Sequence, residues 1–308
     1  MAMNNQSNLN NVGTGWNFTP IKRGVKNHDP KPGDKFGPMS APNEFTQNAL
    51  DQKNHNSSHV IVSIKEQYCY RDDLLKELIS QEFISHMNNM ERCKIDSGQL
   101  KLDQRINCLI LEDFNTTGLM GDAKEWRSFL EDGTRNGIHI FNNQFGNMGK
   151  LREAHLGGSE GEGRTTFCLA SDISTFFYYN VNEKNEECIY GICYSGIFLD
   201  DNRQKEYPSM ISYGDIIDDD GIRWCIPITD KEKITEFKKV FNIKRNKDEP
   251  GLSVVIPYID ADIKIQQIRK TLIENYRVPI LKEQIDTLYP IKIPDEKNAL
   301  TQKEIYNI

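Results

Sequence analysis

The sequence predicts a mixed α/β or α+β domain. Three observations carry that expectation: apolar and β-branched runs of strand length alternate with amphipathic helical stretches, no repeat period is visible, and apolar residues make up 37% of 308, enough for a sizeable core. Taken in order, residues 1–40 are rich in Asn, Gly, Pro and Lys with few apolar positions, and are expected to form an extended arm with little structure of its own that can pack on a partner. The stretch "PNEFTQNALDQ" (42–52) reads as a short helix, and "HVIVSIKEQ" (59–67) alternates like a strand. Residues 71–86 place Leu74, Leu75, Leu78, Ile79, Phe83 and Ile84 on one helical face. "INCLILEDF" (106–114) is a continuous apolar run ending in acids, the pattern of a buried strand that delivers a charge at its tip.

The following forty or so residues hold many Gly and Asn with little periodicity, which in a domain of this size suggests a functional lid. "RTTFCLASDISTFFYY" (164–179) looks helical, with its aromatic run expected in the core, and "CIYGICYSGIFL" (188–199) looks like a strand. "TDKEKITEFKKVFNI" (229–243) predicts an amphipathic helix after a Thr cap, and "PGLSVVIPYI" (250–259) another buried strand. Helical periodicity continues over 261–287, and a last strand is expected near 288–294.

Charge and cysteine usage narrow the function class. With 38 basic against 45 acidic residues the net charge is -7, so nucleic-acid binding is not indicated by the overall charge. The seven cysteines form no C-x-x-C pair and several lie in apolar runs, which favours buried, reduced thiols over a disulfide framework. No basic-then-apolar leader opens the sequence, and no apolar run approaches the roughly 18 residues of a membrane span, so a cytoplasmic location is expected.

Three motifs carry chemistry. Glu44 and Asn48 sit at i and i+4 on one helix, with Asp51 close behind, so carboxylate and amide oxygens share a face. One can orient or deprotonate a water while the other ligates a hard cation such as Mg²⁺; the alternative is a solvated helix face. Asp113 stands at the tip of a buried strand, followed by Gly118 and Gly121, where a carboxylate can accept from the exocyclic amine of a base or simply cap a turn. "GGSEGEGRTT" holds Gly158-x-x-Gly161-x-Gly163 directly ahead of a helix, a spacing that suits a backbone phosphate cradle or a flexible turn. The same loop is one residue from a P-loop, with Arg164 and Thr165 after Gly163, but the preceding "NMGKLREAHLG" is not a buried strand. "EDFN" echoes the kinase D-F-G without a catalytic loop ahead of it.

In order, these pieces ("EFTQNALD", "LILEDFNTTGLMGD", "GGSEGEGRTTFCLAS" and, more loosely, "PGLSVVIP") resemble the GHKL ATPases. Their Bergerat fold is shared by gyrase-type topoisomerases, ninety-kilodalton heat-shock chaperones, MutL-type repair proteins and histidine kinases. The resemblance implies a two-layer α/β (α+β) sandwich, a mixed sheet covered by helices on one face. It implies an ATP-binding domain over 41–260 with a lid near 119–157, and a second, transducer-like or linker region beginning at 261–308. It makes Glu44 the general base and Asn48 the Mg²⁺ ligand, and assigns Asp113 to the adenine amine. Gly158, Gly161 and Gly163 would contact phosphates. Asp51, Gly118, Lys150, Arg164 and Thr165 would be further ATP contacts.

Two departures stand out. The family's D-x-G-x-G is here Asp113-Phe-Asn-Thr-Thr-Gly118, and its later Gly-Thr is Gly251-Leu252, which lacks the hydroxyl. Histidine kinases usually carry Asn where Glu44 stands, so the resemblance implies ATP hydrolysis with Mg²⁺, and lid closure that controls a homodimer, a partner protein or an effector domain. Prokaryotic defence and DNA transactions both use such modules. A nucleotide-binding module without turnover and an interaction protein without a nucleotide site are the alternatives.

Overall fold

In a computed structural model of the chain, which describes residues 10–22, 39–70, 77–100, 105–125, 127–143 and 163–287, one nine-stranded sheet organises the fold. The elements in chain order are β1 (Asn11–Trp16), α1 (Ser40–Asp51), β2 (Val60–Cys69), α2 (Gln81–Met87), β3 (Ile106–Phe114), α3 (Gly137–Asn143) and α4 (Gly163–Leu169). There follow β4 (Thr175–Val181), β5 (Glu187–Tyr194), β6 (Phe198–Leu199), β7 (Glu206–Tyr207), β8 (Met210–Asp219), β9 (Ile222–Ile226), α5 (Lys231–Val240), β10 (Gly251–Pro257), α6 (Ile265–Leu281) and β11 (Ile285–Thr287). Across the sheet the order is β1, β8, β5, β4, β10, β3, β2, β11, with β9 also on β8; β6 and β7 form a separate hairpin. All pairings in the large sheet are antiparallel except β11 on β2, which is parallel.

Strand alternation sorts the core into two layers. Leu109 and Leu111 of β3, Phe176 and Tyr178 of β4 and Val254 and Ile256 of β10 face one way, onto Phe45 of α1, Phe167 of α4 and Ile268 and Leu272 of α6. Their neighbours Cys108, Ile110, Phe177, Tyr179 and Val255 face the other way. This α+β sandwich bears out the expected fold class and is consistent with a Bergerat-type arrangement. The structure adds a cover on the second face, where Phe83 and Met87 of α2 and Ile234, Phe237 and Phe241 around α5 pack with Trp16.

Several local expectations change. The 164–179 stretch is helix only to Leu169; a turn through Ser174, with φ 49°, then leads into β4, whose seven residues are all buried. A strand buried on both faces shows no alternation of polar and apolar residues, and periodicity alone cannot tell it from a buried helix segment. The cap of α5 is Asp230, whose side chain accepts from Lys233 N at 3.0 Å, in place of Thr229. The N-terminal stretch does not remain without structure: β1 pairs with β8 and buries Trp16, whose indole donates to Leu78 O at 2.6 Å. An edge strand is held by backbone bonds and needs few apolar side chains, so composition could not reveal it.

From 261 onward, α6 packs on α1 and the sheet, and β11 adds to the sheet edge, so the described part of that region is built onto the same body. The β8–β9 hairpin was not anticipated, because its strands mix polar and apolar residues. Residues 71–76 and 288–294 lie outside the described residues. Among the described residues, no helix is long and apolar enough to cross a membrane.

Candidate functional site

Helix α1 is amphipathic in a way that positions the first motif. Ala41, Phe45 and Ala49 recur at i, i+4 and i+8 and are buried against the sheet. Glu44 and Asn48 stand one position earlier, about 100° round the helix axis, and so lie half-buried on its flank. Burial pushes the Glu44 carboxyl above the ordinary carboxylate range; a hydrogen bond from Asn48 pulls it part of the way back, and the charge of Asp51 adds to the rise. The Asn48 amide that donates there offers its carbonyl oxygen as a hard ligand. Asp51, exposed at the end of the helix, accepts from Gln47 Nε2 at 3.0 Å, and partial burial raises its carboxyl as well.

The start of α4 meets this face directly. A Cβ placed on Gly163 would lie 1.8 Å from Glu44 Oε1 and 2.2 Å from its Cδ, so the carboxylate can rest where it does only against a glycine. Below them Phe45 and Phe167 meet edge to face at 6.4 Å, and Tyr276 of α6 donates to Asn43 O at 2.7 Å. Burial, helped by the charges of Glu44 and Asp51, raises the Tyr276 phenol to about 12. The helical flank and the end of the Gly-rich loop are therefore joined through elements more than a hundred residues apart.

Asp113 is the third component. Alternation along β3 puts it on the side of Leu109 and Leu111, the sheet face that α1 covers. Only 6% exposed, its Oδ1 accepts from Thr116 Oγ1 at 2.7 Å and from Leu252 N at 2.8 Å. Burial raises its carboxyl, against the opposing pull of the Arg245 guanidinium and these two donors. Gly251, at φ 146°, closes the other side: a Cβ there would fall 2.4 Å from Asp113 O.

Arg245 ties this strand tip together and was not anticipated from the sequence. It is 1% exposed, and donates from Nε to Ser253 Oγ at 3.0 Å, from one terminal nitrogen to Glu249 O at 3.1 Å, and from the other to Leu252 O at 3.0 Å and to Asp113 O. Ser253 Oγ in turn donates to Glu112 Oε1 at 3.0 Å, and Lys65 pairs with Glu112 Oε2 at 2.8 Å. In the sequence Arg245 is one of several basic residues in "IKRNKDEPG", and nothing local distinguishes it from a solvated charge. The loop after Asp113 is fastened to the end of α1 by Thr117 N to Gln52 O at 3.0 Å and Asn54 N to Asn115 O at 2.9 Å.

Other sequence-predicted residues are placed differently. Gly118, at φ 65°, lies against Val181 O, 2.1 Å from where its Cβ would be, so its need for glycine comes from the approach of β4. Arg164 and Thr165 are buried, and the Arg164 guanidinium sits 5.5 Å from the Phe141 ring centre; burial lowers its pKa, opposed by Cys168, Tyr178 and Tyr190. The structure groups Arg164 with that core cluster, while Gly163 one residue earlier touches Glu44. Lys150, Gly158 and Gly161 lie outside the described residues, as does the lid beyond Asn143. A cavity of about 390 Å³ between α3 and β9 is lined by none of Glu44, Asn48, Asp51 or Asp113.

No protein-family model matches the sequence, and no curated protein matches it. Among solved structures, the chain is similar to the ATPase region of Saccharomyces cerevisiae topoisomerase II bound to ICRF-187 (dexrazoxane), at 10% identity and a TM-score of 0.36, over 83% of this chain and 49% of that one. A second structure of the ATPase region of Saccharomyces cerevisiae topoisomerase II matches at 10% identity, a TM-score of 0.35 and the same coverage. The ATPase and transducer domains of topoisomerase II from Balamuthia mandrillaris match at 10% identity and a TM-score of 0.35, over 82% and 46% of the two chains. The chain thus spans about half the length of the structures it matches.

Proposed function

We propose that the protein is a GHKL-type module that binds and hydrolyses ATP with Mg²⁺, at a site built by α1, the start of α4 and the tip of β3. One observation carries the reading. Glu44, a half-buried carboxylate with a raised pKa, rests directly against Gly163, the last glycine of the Gly158-to-Gly163 motif, where an added Cβ would displace its carboxylate. A carboxylate held above its ordinary pKa by burial is a stronger base, suited to taking a proton from an attacking water. Asn48 would hold Mg²⁺ through its carbonyl oxygen, and Asp113, buried on the same sheet face, would recognise the exocyclic amine of the base.

The oxygen donors fit Mg²⁺. No group of three or more His, Cys, Asp or Glu that could cage a metal occurs among the described residues, and none is needed by an ion that takes most of its shell from water and phosphate oxygens. Bound there, the ion would offset charge on the phosphates. The chain's own part is to position the nucleotide, to hold the water against Glu44 and to accept its proton. Gly158, Gly161 and Lys150 are assigned to the phosphates by sequence, together with a lid whose closure would control self-association or a partner.

Calorimetry with ATP and Mg²⁺ on the wild type and Asn48→Ala tests the assignment: the variant should lose most of the binding, and identical isotherms would remove Asn48 from the site. Glu44→Ala should keep binding and lose phosphate release by about 10²- to 10⁴-fold. Turnover that persists in Glu44→Ala would exclude Glu44 as the base.

A further inference from the structure

A guanidinium taken out of water needs an anion close by, and Arg245, almost fully buried, has Asp113 as its first such neighbour. Strand alternation shows from which side the two meet. Glu112 and Phe114 continue the β3 row of Cys108 and Ile110, and Ser253 stands opposite Glu112, so all three belong to the sheet face away from α1. Arg245 lies on that side: its Nε donates to Ser253 Oγ, and its guanidinium carbon is 4.3 Å from the Phe114 ring centre. Asp113 turns to the α1 side. The cation therefore stands behind the sheet and leaves the ligand side of the carboxylate clear.

Two further observations make Arg245 more than a pin for the strand tip. The neighbouring acid, Glu112, is already paired with Lys65 at 2.8 Å, which leaves the Arg245 charge to Asp113. The hydrogen bonds of Arg245 go to Ser253 Oγ and to the backbone oxygens of Glu249, Leu252 and Asp113, and none takes a carboxylate oxygen of Asp113. A Cβ on Gly251 would stand 2.5 Å from Asp113 Oδ1 and 2.5 Å from an Arg245 terminal nitrogen, so the two charges lie within about 5 Å of each other. At that range a cation favours the ionised carboxyl, and it is the leading effect that opposes burial at Asp113. Oδ1 takes both the Thr116 hydroxyl and the Leu252 amide; Oδ2 takes no donor among the described residues and is not sealed from solvent. An ionised carboxyl can only accept a hydrogen bond, whereas a protonated one also donates.

We propose that Arg245 is a positioning residue for base selection: from behind the sheet it holds the Asp113 carboxylate as a pure acceptor, which selects a base bearing an exocyclic amine over one bearing a keto oxygen at the same place. The proposal rests on the ATP reading, in which Asp113 meets the base.

The test compares ATP with ITP, whose base carries a keto oxygen where adenine carries its amine, by calorimetry with Mg²⁺ on the full chain. The wild type should bind ATP about 10- to 100-fold more tightly, as expected of a hydrogen bond to a charged group. Arg245→Met removes the charge, so burial favours a protonated Asp113, and the preference should fall below about threefold. Arg245→Lys restores the charge without the fork of donors. It should recover most of the preference and little of the stability, a split that a purely structural role would not produce. A wild type without preference, an Arg245→Met preference equal to that of the wild type, or the same loss in Arg245→Lys would overturn the proposal and leave ATP binding standing. A wild type that binds neither nucleotide would overturn both. If Arg245→Met does not fold, carbon NMR of the wild type decides: the Asp113 carboxyl resonance, assigned by its loss in Asp113→Asn, should be that of the ionised form at neutral pH, and a neutral carboxyl would overturn the proposal.

Discussion

Gly163→Ala isolates the contact on which the functional reading rests. The added Cβ would stand 1.8 Å from Glu44 Oε1, 2.2 Å from Cδ and 2.6 Å from Cγ. Carbon and oxygen settle near 3.5 Å, so the carboxylate must retreat by roughly 1.7 Å. Glu44 is half-buried with a flexible stem, so it can move without dragging the backbone. An off-rotamer side chain costs about 0.5–1.5 kcal/mol, so stability should fall by no more than about that amount. Catalysis should suffer far more, because a displacement of about 1 Å at a reacting group costs on the order of 10²-fold. The assay is phosphate release beside thermal unfolding and ATP calorimetry. The expected result is turnover down about 10²-fold with binding and unfolding temperature little changed. The double variant Gly163→Ala with Glu44→Ala should be no slower than Glu44→Ala alone, since both remove one function. Wild-type turnover in Gly163→Ala, or a double variant slower by the product of the two single effects, would refute the coupling.

The acid limb of the pH–rate profile reports Glu44. Its carboxyl is raised chiefly by burial and additionally by Asp51, and only the ionised form is a base, so phosphate release should fall as pH drops through that raised value. Asp51→Asn removes one raising cause, and the limb should therefore move to lower pH; an unmoved limb, or one that moves up, would show that Glu44 is not the titrating group. Arg245→Ala should destabilise the fold by about 3–5 kcal/mol in urea unfolding, since it removes the charge opposite the buried Asp113 carboxylate and the donors to the buried Asp113 and Leu252 carbonyls. Arg245→Lys should recover little of that loss, because one ammonium cannot reach the same fork of acceptors. A loss below about 1 kcal/mol in Arg245→Ala would show those groups rehydrated.

Much of the frame was legible from local pattern. The apolar run over 106–114 became β3 at those bounds, and "GLSVVIP" became β10, because short buried strands bounded by Gly, Asn or charged residues leave a clear signature. The i, i+4 spacing put Glu44 and Asn48 on one flank of α1, and alternation put Asp113 on the face that α1 covers. The edge strand β1 and the β8–β9 hairpin were not legible, since their stability comes from pairing with distant backbone.

What the sequence by itself determined was which residues share a helix face or a strand face, for these follow from periods of 3.6 and 2 within one element. What only the tertiary structure decided was which faces meet. It turned Arg164 into the core beside Phe141 while its neighbour Gly163 met Glu44, and it made Arg245 the clamp on Asp113 across 132 positions. Contacts of that kind depend on how whole elements pack, and the close packing that selects them is a property of the assembled core, with no local sequence signal to announce it.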